Sequence, residues 1–353
     1  MRVVHVADYG SAVPGSFIGG LRAVFDLVHR RGWDAELVLP ERARPHAWAQ
    51  AVAEEGVAVR FVEPGRLTAA RERLHRGGGA SRLVHTHFTR FDVAAAVCRS
   101  HGTRVVWHLH TRPRRDWPNL HDAVKFAVLG RRVSRVLCAG EQIRGDAVVR
   151  GVPRRRVHVV RNGIDLDRFR PGTPDERIAA RASLGLPAKG HVLLHLGHDP
   201  YHKGTDRVLA LARDVSDATV LVVAAPPASR SGERGVQNLD AVADMRPLYL
   251  AADALIAPSR AEGGDPPFAL AEALACGTPV IASDIPGHRA LAGFAPAVRL
   301  SAASPRMLAE DVLRLPRAGD PAFARAHAWL APNFSVARYA GDILRHYDEI
   351  VAG

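Results

Sequence analysis

Cysteine is scarce in this chain: Cys98, Cys138 and Cys276 sit far apart in apolar stretches and never form a CxxC pair. That excludes a disulfide framework and a zinc knuckle, and leaves small core residues in a reducing compartment. No apolar run approaches the roughly 18 residues of a membrane helix, and Met1 to Val6 enter a strand-like pattern without a charged leader and apolar signal core. The expectation is a cytoplasmic protein. Lysine occurs only at Lys125, Lys189 and Lys203, so the basic character is carried by arginine. Internal repeats and low-complexity tracts are missing as well, leaving only the loops Gly77 to Gly79 and Ala224 to Arg234 rich in Gly, Pro, Ser or Arg.

What is present describes a globular chain, with 47% hydrophobic and 24% charged residues. At 353 residues it is too long for one ordinary core and suits two domains. The net charge of +12 is uneven, because residues 1–170 hold 30 Lys and Arg against 16 Asp and Glu. Such a field attracts anions, but no nucleic-acid module accompanies it, so nucleic acid is excluded as a partner. Peripheral contact of the basic N-terminal half with an anionic membrane is the sharper reading, and an arginine-rich composition the plainer one.

Short apolar runs alternate with amphipathic stretches: Arg2 to Val6, Ala35 to Leu39, Arg82 to Thr86, Arg104 to Leu109, Arg135 to Ala139 and Val157 to Val160. After Asp167 to Pro187 the pattern restarts with His191 to Leu196, Thr219 to Ala225, Ala254 to Ala257 and Val280 to Ser283. Strands this apolar, separated by helices, predict two α/β doubly wound domains with parallel sheets. The boundaries read as 1–168 and 169–333, followed by a helix over 334–353 with Val336, Tyr339, Ile343 and Tyr347 on one side.

Two segments carry anion chemistry. In His195-Leu196-Gly197-His198-Asp199-Pro200-Tyr201-His202-Lys203-Gly204, a strand ends in a glycine turn and a helix begins. Unpaired helix amides and the Lys203 cation there suit a diphosphate. The second segment, Glu262-Gly263-Gly264-Asp265-Pro266-Pro267-Phe268-Ala269-Leu270-Ala271-Glu272, joins a loop to a helix and brackets it with acids, which accept hydrogen bonds from the paired hydroxyls of sugars. The amides of Phe268, Ala269 and Leu270 add phosphate contacts.

On the N-terminal side His85-Thr86-His87 and His108-Leu109-His110 close two strands, and residues two apart share a face. No carboxylate or cysteine is patterned with these histidines, so no metal site is assigned. Asn162-Gly163-Ile164-Asp165 reads as a turn, either bordering the site or acting as a hinge. Arg112, Arg114 and Arg115 form a basic loop after His110, with Arg112 an acceptor-side candidate.

With Gly19-Gly20 near the start, Asn162-Gly163-Ile164-Asp165, Gly197-His198…Lys203-Gly204, and Glu262…Glu272 followed by Cys276-Gly277-Thr278-Pro279-Val280, the chain resembles glycosyltransferase family 4 over nearly its whole length. The resemblance implies the GT-B fold: two Rossmann-like domains facing a cleft, with a C-terminal helix packing back across both. It implies a retaining, metal-independent transfer of sugar from a nucleotide diphosphate sugar to a hydroxyl acceptor on a secondary metabolite, glycolipid or polysaccharide. The nucleotide sugar is a co-substrate, and no cofactor is implied.

In this resemblance Gly19 and Gly20 form a loop that lets the backbone approach the phosphate, Lys203 pairs with the diphosphate, and Glu272 accepts ribose hydroxyls. His110 matches the histidine over the donor sugar, where it bonds the 6-hydroxyl and steadies developing positive charge through its carbonyl. His110, Lys203 and Glu262 are thus the catalytic candidates. Gly197, His198, Asp265 and Phe268 to Leu270 join the donor-binding set, and His87, Arg112 and Asn162 the acceptor side.

Two departures stand out. His198 occupies the place of a phosphate-binding arginine, so it acts as a protonated substitute, or Lys203 and the amides suffice, or Arg161 or Arg207 fills in. Nine residues rather than seven separate Glu262 from Glu272, so either Glu262 or Asp265 takes the sugar-hydroxyl role. These departures keep open a catalytically silent sugar-nucleotide-binding protein, and the same two-lobed scaffold would also suit a nucleotide-sugar epimerase or hydrolase.

Overall fold

The computed structural model describes every residue except 64–81, 89–90, 98–101, 113–123, 216, 231, 303 and 317–319. Cys98, Arg114, Arg115 and the Gly77 to Gly79 loop therefore lie outside the described residues. The chain divides into two compact units, Met1–Asn162 with Val336–Gly353, and Gly163–Ser335. Among the described residues no helix is long and apolar enough to cross a membrane.

The first unit is built on seven strands: β1 (Arg2–Ala7), β2 (Asp34–Pro40), β3 (Ala58–Val62), β4 (Arg82–His87), β5 (Thr103–Leu109), β6 (Arg135–Cys138) and β7 (Val157–Val159). They pair in the order β3-β2-β1-β4-β5-β6-β7, all parallel. Successive residues face opposite sides, so Val3, Leu37 and Leu83 feed one core while Val4, Val38 and Val84 feed the other.

The first core is closed by α1 (Gly15–Arg30), which buries Phe17, Ile18, Leu21, Val24, Phe25 and Val28 at three- and four-residue spacing. Packed against it lies the last helix of the chain, Val336–Ala352, which buries Tyr339, Ile343, Tyr347 and Ile350 in the same core. The helix read from the sequence at 334–353 starts two residues later, because Phe334 packs in the second unit's core. The same core takes Ile164 and Phe169, which moves the end of the first unit from residue 168 to Asn162. Both described cysteines, Cys138 and Cys276, are buried, and burial pushes each thiol up to about 12, as unreactive core residues require.

The second unit repeats the plan with six strands: β8 (His191–Leu196), β9 (Ala218–Val223), β10 (Val236–Leu239), β11 (Ala254–Ala257), β12 (Val280–Ser283) and β13 (Val298–Ser301). They pair in parallel in the order β10-β9-β8-β11-β12-β13. Strand order reverses between β1 and β4 in the first sheet and between β8 and β11 in the second. The carboxyl ends of those strands are where open α/β sheets bind ligands.

After β8 the chain makes one helical turn, Pro200–Lys203, then passes through Gly204 at φ 74° into the helix Thr205–Asp214. A Cβ at Gly204 would stand 2.3 Å from the Pro258 carbonyl oxygen. Gly204→Ala is therefore expected to destabilise the second unit by about 2 to 4 kcal/mol. The urea midpoint of the variant tests this, and an unchanged midpoint would remove glycine's structural role here.

Candidate functional site

In the second unit the loop after β11 folds against the turn after β8. Arg207 donates to the Pro258 carbonyl at 2.9 Å, and Arg260 donates to both carboxylate oxygens of Asp206 at 2.7 and 2.8 Å. Beneath them His195 bridges the Ile256 carbonyl at 3.0 Å and the Thr205 hydroxyl at 2.9 Å. This scaffold aims Lys203 at Glu262, where Nζ donates to both carboxylate oxygens at 2.7 and 2.9 Å. Ser259 donates to Glu262 Oε1 at 2.7 Å. The two charged side chains are 20% and 8% exposed, so they meet in a partly desolvated place where an unpaired charge is costly.

Phe268, Ala269 and Leu270 form the first turn of the helix Phe268–Ala275, whose preceding residue Pro267 supplies no side-chain cap. The amides of that turn lack intrahelical acceptors and are anion donors. Asp265 is half-buried in the loop ahead of them. Glu272, one turn further on, is buried and accepts from the Tyr249 hydroxyl at 2.7 Å. Gly197 closes β8, and a Cβ there would meet Val222 at 3.0 Å. Desolvation first, and the Lys203 cation second, hold the His198 imidazole below its ordinary value of 6.5. It is thus neutral at pH 7 in the free protein, which removes the protonated-substitute reading for that state. Arg207 donates one N–H to the Pro258 carbonyl, while Lys203 is the cation that pairs with Glu262.

In the first unit the carboxyl ends of β1, β4 and β5 gather His5, His85, His87, His108 and His110. His87 Nδ1 lies 3.0 Å from His110 Nε2, and the Phe17 and Phe88 rings stand 5.4 and 4.8 Å from that of His110. The Asn162 side chain faces His110. His87, His110 and Asn162 therefore come together, whereas Arg112 pairs with Asp146 at 2.8 Å.

Gly19 and Gly20 do not form a loop: both lie in the second turn of α1. A Cβ on Gly20 would meet the Tyr339 ring at 3.2 Å, so its small size serves helix packing, while the space beside Gly19 is open.

Two histidine triples, His5/His85/His87 and His87/His108/His110, bring ring nitrogens within 4.8 Å of one another, within reach of a metal ion. His108 stacks on His110 at 4.2 Å with 25° between their planes, so their in-plane lone pairs run nearly parallel instead of converging. The arrangement suits ring-to-ring hydrogen bonds better than coordination. Sequence reasoning missed His5, Tyr249, Ser259 and Tyr347; of these only Tyr347 left a signal, in the buried stripe of the last helix.

Burial holds His5 and His110 at about 3, and His85, His87 and His108 well below 6.5. Below pH 6.5 the unfolded chain takes up protons that the folded unit refuses, so stability falls as pH falls, by up to about 1.4 kcal/mol per pH unit for each histidine. The urea midpoint of the first unit should be flat above about pH 7, drop from about pH 6, and vanish near about pH 5. A midpoint unchanged down to that pH would mean that these imidazoles are solvated.

Comparison with known proteins supplies a setting for both clusters. The family model described as Glycosyltransferase Family 4 matches residues 22–168, and the one described as Glycosyl transferases group 1 matches residues 190–317. The D-inositol 3-phosphate glycosyltransferase of Xylanimonas cellulosilytica is 30% identical over 64% of this chain and 62% of its own length. That of Salinispora tropica is 29% identical over 82% and 69%. The chain thus spans under two thirds of the Xylanimonas relative, and 33% of one from Mycobacterium sp. strain KMS. Anabaena Alr3699/HepE in complex with UDP-glucose superposes with a TM-score of 0.80 at 19% identity, covering 99% of this chain and 100% of that one. WaaG, a glycosyltransferase involved in lipopolysaccharide biosynthesis, does so at 0.67 and 16%, covering 100% of both. At such identities the likeness is one of fold, and that fold is GT-B.

Proposed function

We propose, from the premise that this chain belongs to the glycosyltransferases of family 4, that it transfers a glycosyl group from a nucleoside diphosphate sugar to a hydroxyl acceptor, with retention and without a metal ion. One observation carries the reading: at the strand-order reversal of the second sheet, Lys203 forms a partly buried ion pair with Glu262, which lies on the same loop-helix segment as the uncapped amides of Phe268 to Leu270.

Such a pair is suited to an exchange of partners. An entering diphosphate takes Lys203, and the released Glu262 carboxylate accepts sugar hydroxyls, so neither charge is left bare. Lys203 and the amides then neutralise the departing phosphate, the work a metal does elsewhere. His198, neutral at pH 7 in the free protein, is read as a hydrogen-bonding group. No enzymic nucleophile is assigned; the acceptor attacks from the face the nucleotide leaves, and the departing phosphate oxygen takes the acceptor's proton. His110 attends the donor sugar and Asn162 lies next to it.

The solved relative holds UDP-glucose, and the curated relatives are named for D-inositol 3-phosphate, which makes these the first donor and acceptor to try. The excess of arginine in residues 1–170 suits an anionic acceptor or an anionic membrane surface.

Calorimetry with UDP and other nucleoside diphosphates, in EDTA throughout, tests the core of the proposal. Lys203→Ala is expected to weaken binding about tenfold to a hundredfold, whereas His198→Asn changes it less than about threefold near neutral pH. No affinity of the native protein for any nucleoside diphosphate would sink the reading, and binding without turnover of any acceptor would leave a silent sugar-nucleotide binder. NMR assignment of the product's anomeric configuration checks retention.

A further inference from the structure

The hydrogen bonds that reach His110 continue past His87. His87 Nε2 lies 2.9 Å from His5 Nδ1, His5 Nε2 lies 3.0 Å from the Tyr347 hydroxyl, and that hydroxyl lies 2.5 Å from His85 Nδ1. With the 3.0 Å contact between His87 Nδ1 and His110 Nε2, five side chains form one unbranched chain. His5, His85, His87 and Tyr347 are all fully buried. The His5 and His87 rings are within 13° of coplanar orientation with centroids 5.2 Å apart, as an N–H···N bond between ring edges requires.

A neutral imidazole carries one N–H and one lone pair, and a hydroxyl donates one proton. Each link needs one donor and one acceptor; the Tyr347 oxygen could accept from both His85 and His5, but that would leave its buried O–H without an acceptor, so two arrangements remain in which every side chain between the two ends both donates and accepts along the chain. In the first, His85 Nδ1–H donates to Tyr347, Tyr347 to His5 Nε2, His5 Nδ1–H to His87 Nε2, and His87 Nδ1–H to His110 Nε2. His110 then holds its own proton on Nδ1. In the second every bond reverses, His110 is protonated on Nε2, and His85 must carry a proton on its own Nε2.

The two ends of the chain choose between them. His85 Nε2 is buried and has no hydrogen-bond partner among the described residues. A bare lone pair is tolerated there more readily than an N–H without an acceptor, which favours the first arrangement. At the other end the Asn162 side chain faces His110 in a sense that favours a protonated ring, and among the described residues its buried Oδ1 has no other partner. An acceptor beside His110 calls for a proton on the nitrogen that His87 does not occupy, again the first arrangement.

We propose that His87, His5, Tyr347 and His85 are positioning residues that lock the tautomer of His110, keeping its proton on Nδ1. The bearing of this lock on sugar transfer rests on the function proposed above. Locked in this way, His110 accepts from His87, offers a single N–H of defined direction, and has no lone pair with which to act as a base. Tyr347, on the last helix of the chain, thereby sets the proton position of a residue that follows β5.

Long-range proton–nitrogen correlation spectra of protein labelled with ¹⁵N-histidine test the lock directly. The native protein should show His110 as one neutral tautomer, protonated at Nδ1 and bare at Nε2. Tyr347→Phe removes the hydroxyl and keeps the ring; His5→Asn keeps a polar atom near the Nδ1 position and deletes Nε2. Either variant should shift both His110 nitrogens towards values averaged between tautomers. Transfer turnover should then fall about fivefold, with donor KM within about twofold of native. A native His110 that is protonated at Nε2 or already averaged would overturn the proposal, as would a folded variant in which Nδ1 stays protonated. The spectra need no turnover: a chain that transfers no sugar but shows the lock and its release supports the lock while sinking the function.

Discussion

A parallel strand covered on both faces has no dry place for unpaired polar atoms along its length, so polar chemistry collects where the strands end. Both sheets obey this constraint, and each reverses its strand order at one point, where two loops diverge and expose backbone donors. Everything assigned to function here sits at or beside those carboxyl ends. The second sheet meets the constraint with an ion pair, Lys203 and Glu262, held by loops that Arg207 and Arg260 tie together. The first meets it with neutral imidazoles, four of which are linked through Tyr347 and one another.

These two solutions differ in what they do with charge. An ion pair at 20% and 8% exposure is a stored exchange: either partner can be transferred to a ligand group of the right sign without a bare charge appearing in between. The histidine chain carries no net charge, because desolvation holds its members neutral, and it stores direction instead.

Much of this was legible in residue order. The parallel α/β pattern and the second unit's restart could be read from apolar periodicity, Lys203 and the amides of Phe268 to Leu270 from turns between strand and helix, and Glu262 from the acids that bracket its loop, whereas His110 is singled out by family resemblance. The strands missed were β3, β10 and β13, each at an outer edge of its sheet. Edge strands are only half-buried, so their apolar signal is weak: no residue of β10 is fully buried. Gly19-Gly20 reads as a phosphate loop because the family resemblance places a glycine-rich loop after the first strand. In the structure the close approach of Tyr339, 319 positions from Gly20 in sequence, accounts for the small residue.

The sequence by itself determined the fold class and the cation of the candidate site, because strand burial, helix periodicity and a lone lysine after a glycine turn are local properties. Tertiary structure alone decided which partners those residues meet: that Glu262 rather than Asp265 pairs with Lys203, that Arg112 is held by Asp146, and that Tyr347 closes a chain ending at His110. Hydrogen bonds and ion pairs form over about 3 Å and between groups far apart in sequence. Spacing along the chain carries little information about them until the sheets bring the strand ends together.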